Sequence, residues 1–118
     1  MECLLVTKDS VSECEREMKD IREHLGSEEV AVIYFSLLSE ELNEEETGAI
    51  MFRPHSEDED YPEDFEYNDN INRWLRVVAN QWFPLIRGDA FVFGMAYNGE
   101  AHSTDVGEVV KETFKELE

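Results

Sequence analysis

Apolar residues along this chain fall into short clusters separated by dense acidic stretches, and the spacing inside each cluster predicts its element. Glu2 to Thr7 is short and apolar, carries Leu4, Leu5 and Val6, and reads as a strand. Ser10 followed three residues later by Glu13 has capping-box spacing, in which each side chain serves an orphan backbone N–H at a helix start. Val11, Cys14, Met18, Ile21 and Leu25 then recur at steps of three and four, which predicts one amphipathic helix. Glu13, Glu15, Arg16, Glu17, Lys19, Asp20 and Glu23 fill its other faces, and Gly26 stands where a left-handed C-terminal residue is wanted.

Val30-Ala31-Val32-Ile33-Tyr34-Phe35 is β-branched and aromatic without alternation, a pattern that predicts a strand covered on both faces. The chain turns acidic through Glu40, Glu41, Glu44, Glu45 and Glu46, with Gly48 as punctuation, and Ala49 to Phe52 predicts a returning strand. Pro54 ends it, and Pro62 lies inside the acidic stretch from Glu57 to Glu66, which reads as loop. A second helix starts near Asp69 or Asn70. Its stripe is Ile71, Trp74, Leu75, Val78, Trp82 and Leu85, and Pro84 ends or kinks it.

Ala90 to Tyr97 predicts a further strand, and Asn98-Gly99 is a strong hairpin turn that leads into a short partner, Glu100 to Ser103. Asp105 with Glu108 opens a third helix with the stripe Val106, Val109, Val110, Phe114 and Leu117, weakened by Gly107 in its first turn. The expectation is a single α+β domain over residues 1–118, with a mostly antiparallel sheet of about four strands and helices on one face. The order βαββαβ(β)α matches, in its first six elements, the split βαβ arrangement of ferredoxin-like domains. A different strand order is the alternative.

Charge changes the picture more than any motif. The 118 residues hold 29 acids against 10 bases, a net charge of −19, while 42% hydrophobic content is enough to build a core. Residues 40–69 hold thirteen acids against one base, Arg53, and so carry −12 of that total. Residues 1–39 carry −5 and residues 70–118 carry −2. Acidity spread for solubility or high salt would not spare Asn70 to Gly88, which has no acid and holds Arg73, Arg76 and Arg87. A surface this negative repels phosphate backbones and anionic lipid, which argues against direct binding of nucleic acid or membrane.

The acids form a candidate partner-binding surface instead: Glu44, Glu45, Glu57, Asp58, Glu59, Asp60, Glu63, Asp64 and Glu66. Tyr61 and Phe65 interleave with them as aromatic anchors. Ten residues span at most ~36 Å, so the seven carboxylates of Glu57 to Glu66 give about one charge per 5 Å. One DNA strand carries a charge per ~3.4 Å, so the loop approaches that density only when folded back beside Glu40 to Glu46. Arg73 and Arg76, one turn apart, are candidates for internal ion pairs to the loop.

Other chemistry is sparse. His24 sits at a helix C-terminus, where the dipole favours a cation. His55 stands at the mouth of the acidic loop, and His102 precedes Ser103, Thr104 and Asp105. No nucleophile elbow, zincin, P-loop or dinucleotide fingerprint is present, and Asp58 to Glu63 lacks the EF-hand glycine. No catalytic residue, metal site or cofactor is expected. Cys3 and Cys14 read as buried thiols, without zinc-type spacing. No run approaches 18 apolar residues, and Met1-Glu2-Cys3-Leu4 lacks the basic start of a signal peptide, so a reducing cytoplasm is the expected setting.

The function expected from these features is non-catalytic: an acidic protein that covers the basic, nucleic-acid-binding surface of a partner. By analogy of charge and size, this is how nucleic-acid mimics, phage anti-defence and anti-CRISPR-like inhibitors, and toxin-neutralising immunity proteins act. One alternative is a small regulatory or assembly subunit that binds through an apolar face, homo-oligomers included. The other is a small enzyme that uses carboxylates with His55 or His102.

Overall fold

The first strand pairs with the residues that immediately follow it. In the computed structural model, which describes residues 1–26, 29–39, 44–54, 66–79 and 86–117, β1 (Glu2–Val6) turns back into β2 (Val11–Glu15). Their register runs from Glu2 opposite Glu15 to Val6 opposite Val11. Thr7 organises the turn: its N–H donates to the Ser10 carbonyl at 2.8 Å, and its hydroxyl oxygen accepts from the N–H groups of Ser10 and Asp9 at 3.0 and 3.3 Å. The expectation of a helix from Ser10 is therefore corrected. Val11 and Cys14, three residues apart, would share a face of a helix, but pairing with β1 selects the strand and sends them to opposite sides of the sheet.

Helix α1 (Met18–Leu25) is the C-terminal half of the predicted helix. Its start is marked by Asp20, whose carboxylate accepts from the Glu17 N–H at 3.3 Å. Gly26 ends it at φ 68° as expected, donating to the Arg22 carbonyl at 3.1 Å. The remaining elements are β3 (Ala31–Ser39), β4 (Glu44–Phe52), α2 (Asp69–Val77), β5 (Ala90–Tyr97), β6 (Ala101–Thr104) and α3 (Glu108–Glu116).

The fold is α+β, with a six-stranded sheet in the order β2-β1-β5-β4-β3 and β6 paired to β5. Every strand pair is antiparallel. The strand order is not the ferredoxin-like one. The extra strand β2 reverses the chain before α1, so β3 runs antiparallel to β1 and the split βαβ crossover cannot form. β2 and β3 instead run in the same direction at opposite edges of the sheet, joined through α1.

Helices cover both faces, where one was expected. Leu4, Val6, Phe35, Ile50, Phe52 and Val92 point to one side and pack with Ile71, Trp74 and Leu75 of α2 and Val110 and Phe114 of α3. Cys3, Ala49, Met51, Phe91 and Phe93 alternate to the other side and meet Ile21 and Leu25 of α1. Two helices with long apolar stripes cover more of a sheet than one short helix. The second face is accordingly covered only in part.

Helix α2 is capped by Asn68, one residue before the expected pair, with its side-chain oxygen accepting from the Ile71 N–H at 3.2 Å. It ends at Val77, and the predicted stripe members Trp82 and Leu85, with Pro84, lie outside the described residues. β5 has the expected bounds, and its link to β6 is a three-residue turn with Gly99 at φ 83°. Of the predicted α3 stripe, Val109, Val110 and Phe114 lie in the helix, Leu117 is its C-cap and Val106 precedes it, because Gly107 is the N-cap. Asp105 instead accepts from the Glu2 N–H at 2.7 Å.

Candidate partner-binding surface

Part of the acidic segment lies on a strand. β4 starts at Glu44, so Glu44, Glu45 and Glu46 occupy strand positions opposite Ser39, Leu38 and Leu37 of β3. This corrects the expectation of a strand starting at Ala49. Alternation then separates the acids. Glu45 is exposed on the face that α1 covers only in part and accepts a hydrogen bond from the Ser36 hydroxyl. Glu46 points to the opposite face, where its carboxylate occupies the space beside Gly107.

Around Glu45 the uncovered part of the sheet carries aromatic residues. Tyr34 on β3 is 64% exposed and Tyr97 on β5 is 79% exposed. Thr47 donates its hydroxyl to the Met95 carbonyl at 2.9 Å, just past the last β4–β5 pair, Gly48 with Gly94. Ser36, Glu45, Thr47, Met95 and Tyr97 thus share one sheet face with Tyr34. Tyr34 corrects the expectation that its strand is covered on both faces: β3 lies at the sheet edge, where Val32 packs with the cluster under α1 but Tyr34 does not. Tyr34 and Tyr97 were absent from the predicted surface. Their sequence signal is weak, a tyrosine beside a serine in one strand and a tyrosine before an Asn-Gly turn in the other.

Glu66 lies at the opposite end of the sheet, beyond Val6 and Ala90. The Lys8 ammonium donates to its carboxylate at 2.7 Å, and this hydrogen bond, followed by the lysine charge, lowers the Glu66 pKa below its ordinary value of 4.5. Next to it, the Arg87 guanidinium stacks over the Tyr67 ring at 4.1 Å from the centroid. Glu57, Asp58, Glu59, Asp60, Tyr61, Glu63, Asp64 and Phe65 lie outside the described residues, as does His55. Arg73 and Arg76 are exposed, and no ion pair among the described residues involves either of them.

A separate cluster forms where α3 crosses the β1–β2 hairpin. The Lys111 ammonium, on a side chain only 12% exposed, lies 3.1 Å from Glu13, 3.4 Å from Glu108 and 3.8 Å from Glu2. The hydrogen bond to Glu13 is the main force raising its pKa, opposed by burial and aided by Glu108. Four charged groups are committed to one another here.

His24 Nε2 lies 2.8 Å from Asp89 Oδ2 and its ring meets Phe91 edge-on, which ties the end of α1 to the start of β5. His102 is exposed on β6. Among the described residues, no group of three His, Cys, Asp or Glu side chains stands ready to hold a metal ion, and no helix is long and apolar enough to cross a membrane. No protein family pattern, curated protein or solved structure matches this chain.

Proposed function

We propose that this chain is a non-catalytic acidic binding protein that occupies the basic, nucleic-acid-handling surface of a partner protein. The observation that carries this reading is the placement of −12 of the −19 net charge within residues 40–69. Carboxylates from Glu44, Glu45 and the stretch Glu57 to Glu66 pair with lysines and arginines that otherwise hold phosphate. The mechanism is competitive occlusion. Long-range attraction makes association fast and sensitive to salt, because a Debye length of about 8 Å at physiological ionic strength screens all but close pairs. Tyr61 and Phe65 supply apolar contact area between the charges, and Tyr97, on the same sheet face as Glu45, extends that pattern onto the sheet.

The test is capture from lysate of the natural target cell at low and high salt, using the wild type and a variant combining Asp58→Asn, Asp60→Asn, Glu63→Gln and Asp64→Asn. The expected result is a basic protein, released by salt, lost by the variant, and blocked from its nucleic acid by the wild-type chain. Capture that ignores both salt and the four substitutions would sink the reading.

The uncovered sheet face favours a second reading, a regulatory or assembly subunit that binds through Tyr34, Met95 and Tyr97 with the charge serving solubility. Replacing Tyr34 and Tyr97 with Ser separates the two. That pair abolishes binding in the second reading, while the four-carboxylate variant leaves it intact.

A further inference from the structure

The two cysteines of the chain, eleven residues apart in sequence, stand directly opposite each other on neighbouring strands. Cys3 of β1 pairs with Cys14 of β2, and their sulfur atoms are 3.5 Å apart. Directly paired residues on antiparallel strands have Cα atoms about 4.5–5.5 Å apart, which lies within the span of a disulfide. Both thiols are free, Cys3 buried and Cys14 half-buried. A recess of about 220 Å³ reaches them, rimmed by Glu2, Glu13, Glu15 and Lys111.

We propose that Cys3 and Cys14 form a dithiol modification site that small-molecule disulfides oxidise to an intrachain Cys3–Cys14 disulfide. The site is independent of the binding surface proposed above. Oxidation begins at Cys14, the accessible member. Burial foremost, then the hydrogen bond with Cys14, pushes the Cys3 thiol up to about 12, so Cys3 stays protonated until its turn comes. The Cys14 thiolate, its proton released to water, attacks one sulfur of the small disulfide. A mixed disulfide forms, and the first small thiolate leaves and takes up a proton. Cys3 then gives its proton to water and attacks the Cys14 sulfur, expelling the second small thiolate, which is protonated in turn. Two protein S–H bonds become one S–S bond, and the small disulfide is reduced to two thiols.

Three glutamates against one lysine make the rim acidic, so the probe is cystamine, a disulfide with two positive charges. The full-length chain is incubated with cystamine and its intact mass is measured, followed by peptide mapping without reduction. The expected product has lost two hydrogens, joins the peptides containing Cys3 and Cys14, and regains both thiols with dithiothreitol. Cys3→Ser stops at the first step and retains one cysteamine on Cys14. Unchanged thiols, a lasting cysteamine adduct on the wild type, or disulfides between separate chains would each overturn the proposal. The wild-type mass decides the matter even where a variant fails to fold.

Discussion

The Trp74 indole lies flat against the Phe114 ring, with centroids 4.7 Å apart and planes inclined by only 5°. This stack joins α2 to α3 over the sheet, and Phe35 of β3 meets the same indole edge-on at 4.9 Å. The indole N–H donates to the Thr113 hydroxyl at 2.9 Å, which donates in turn to the Val110 carbonyl at 2.7 Å. A wholly buried tryptophan thus has both an apolar environment and a partner for its one polar atom. Trp74→Ala should cost about 3–5 kcal/mol of unfolding free energy. Trp74→Phe should cost less, since it keeps most of the ring area and loses the hydrogen bond. Urea unfolding followed by far-UV circular dichroism measures both, and equal costs would refute the share assigned to ring packing.

Asn72 acts as a strand made of one side chain. Its amide donates to the Ile86 carbonyl at 2.9 Å, and its oxygen accepts from the Ile86 N–H at 2.8 Å. All of these groups are buried, and the Ile86 carbonyl also accepts from the Asn68 N–H at 2.9 Å, so Asn72→Ala leaves the Ile86 N–H without a partner and should cost about 1–3 kcal/mol. Asn72→Leu has a similar volume and should not rescue it. A urea midpoint restored by leucine would show that volume, and not hydrogen bonding, sets the requirement.

Gly107 has ordinary backbone angles and leaves room for the end of a neighbouring side chain. A Cβ at this position would overlap the Glu46 carboxylate, which sits at the first turn of α3. Gly107→Ala should therefore destabilise by only about 1 kcal/mol, because the overlapped atoms are the end of a flexible side chain that can move aside and alanine is a poorer N-cap than glycine. In a double-mutant cycle with Glu46→Ala, the cost of Gly107→Ala should fall sharply. Additive costs would count against this contact.

Two ion pairs give stability opposite dependences on pH. Lys111 has its pKa raised in the folded chain. Its contribution is complete below the ordinary lysine value of 10.5 and is lost as pH rises through the higher folded value. Glu66 has its pKa lowered, so its contribution is present above the ordinary value of 4.5 and fades as pH falls through the folded value. Thermal midpoints of the wild type, Lys111→Met and Glu66→Gln across pH test this. The gap to Lys111→Met should close above 10.5 and the gap to Glu66→Gln should close in acid below 4.5. Gaps that stay constant with pH would contradict both assignments.

What could be read from the sequence was what depends on near neighbours. β5 spans Ala90 to Tyr97 because a continuous apolar run is bounded by an Asn-Gly turn. The stripe of α3 and the stop at Gly26 likewise follow from spacing and from a left-handed residue. The concentration of carboxylates in residues 40–69 is a property of composition and needs no coordinates. Which face each acid takes does need them, since Glu45 and Glu46 point to opposite sides of one strand.

Tertiary pairing decided the rest. Val11 and Cys14 stand at helical spacing, and it is β1 alongside that makes them a strand with the two side chains on opposite faces. That one choice reverses the chain, sets the order β2-β1-β5-β4-β3, sends α1 to the face opposite α2 and α3, and brings Cys14 to Cys3. Exposure of Tyr34 and Tyr97 follows from the same event, because a short helix spans only part of the face it is left to cover. The physical reason is that hydrogen bonds between strands join residues far apart in sequence. Their energy is invisible to any local pattern, yet here it overrides the helical spacing of Val11 and Cys14.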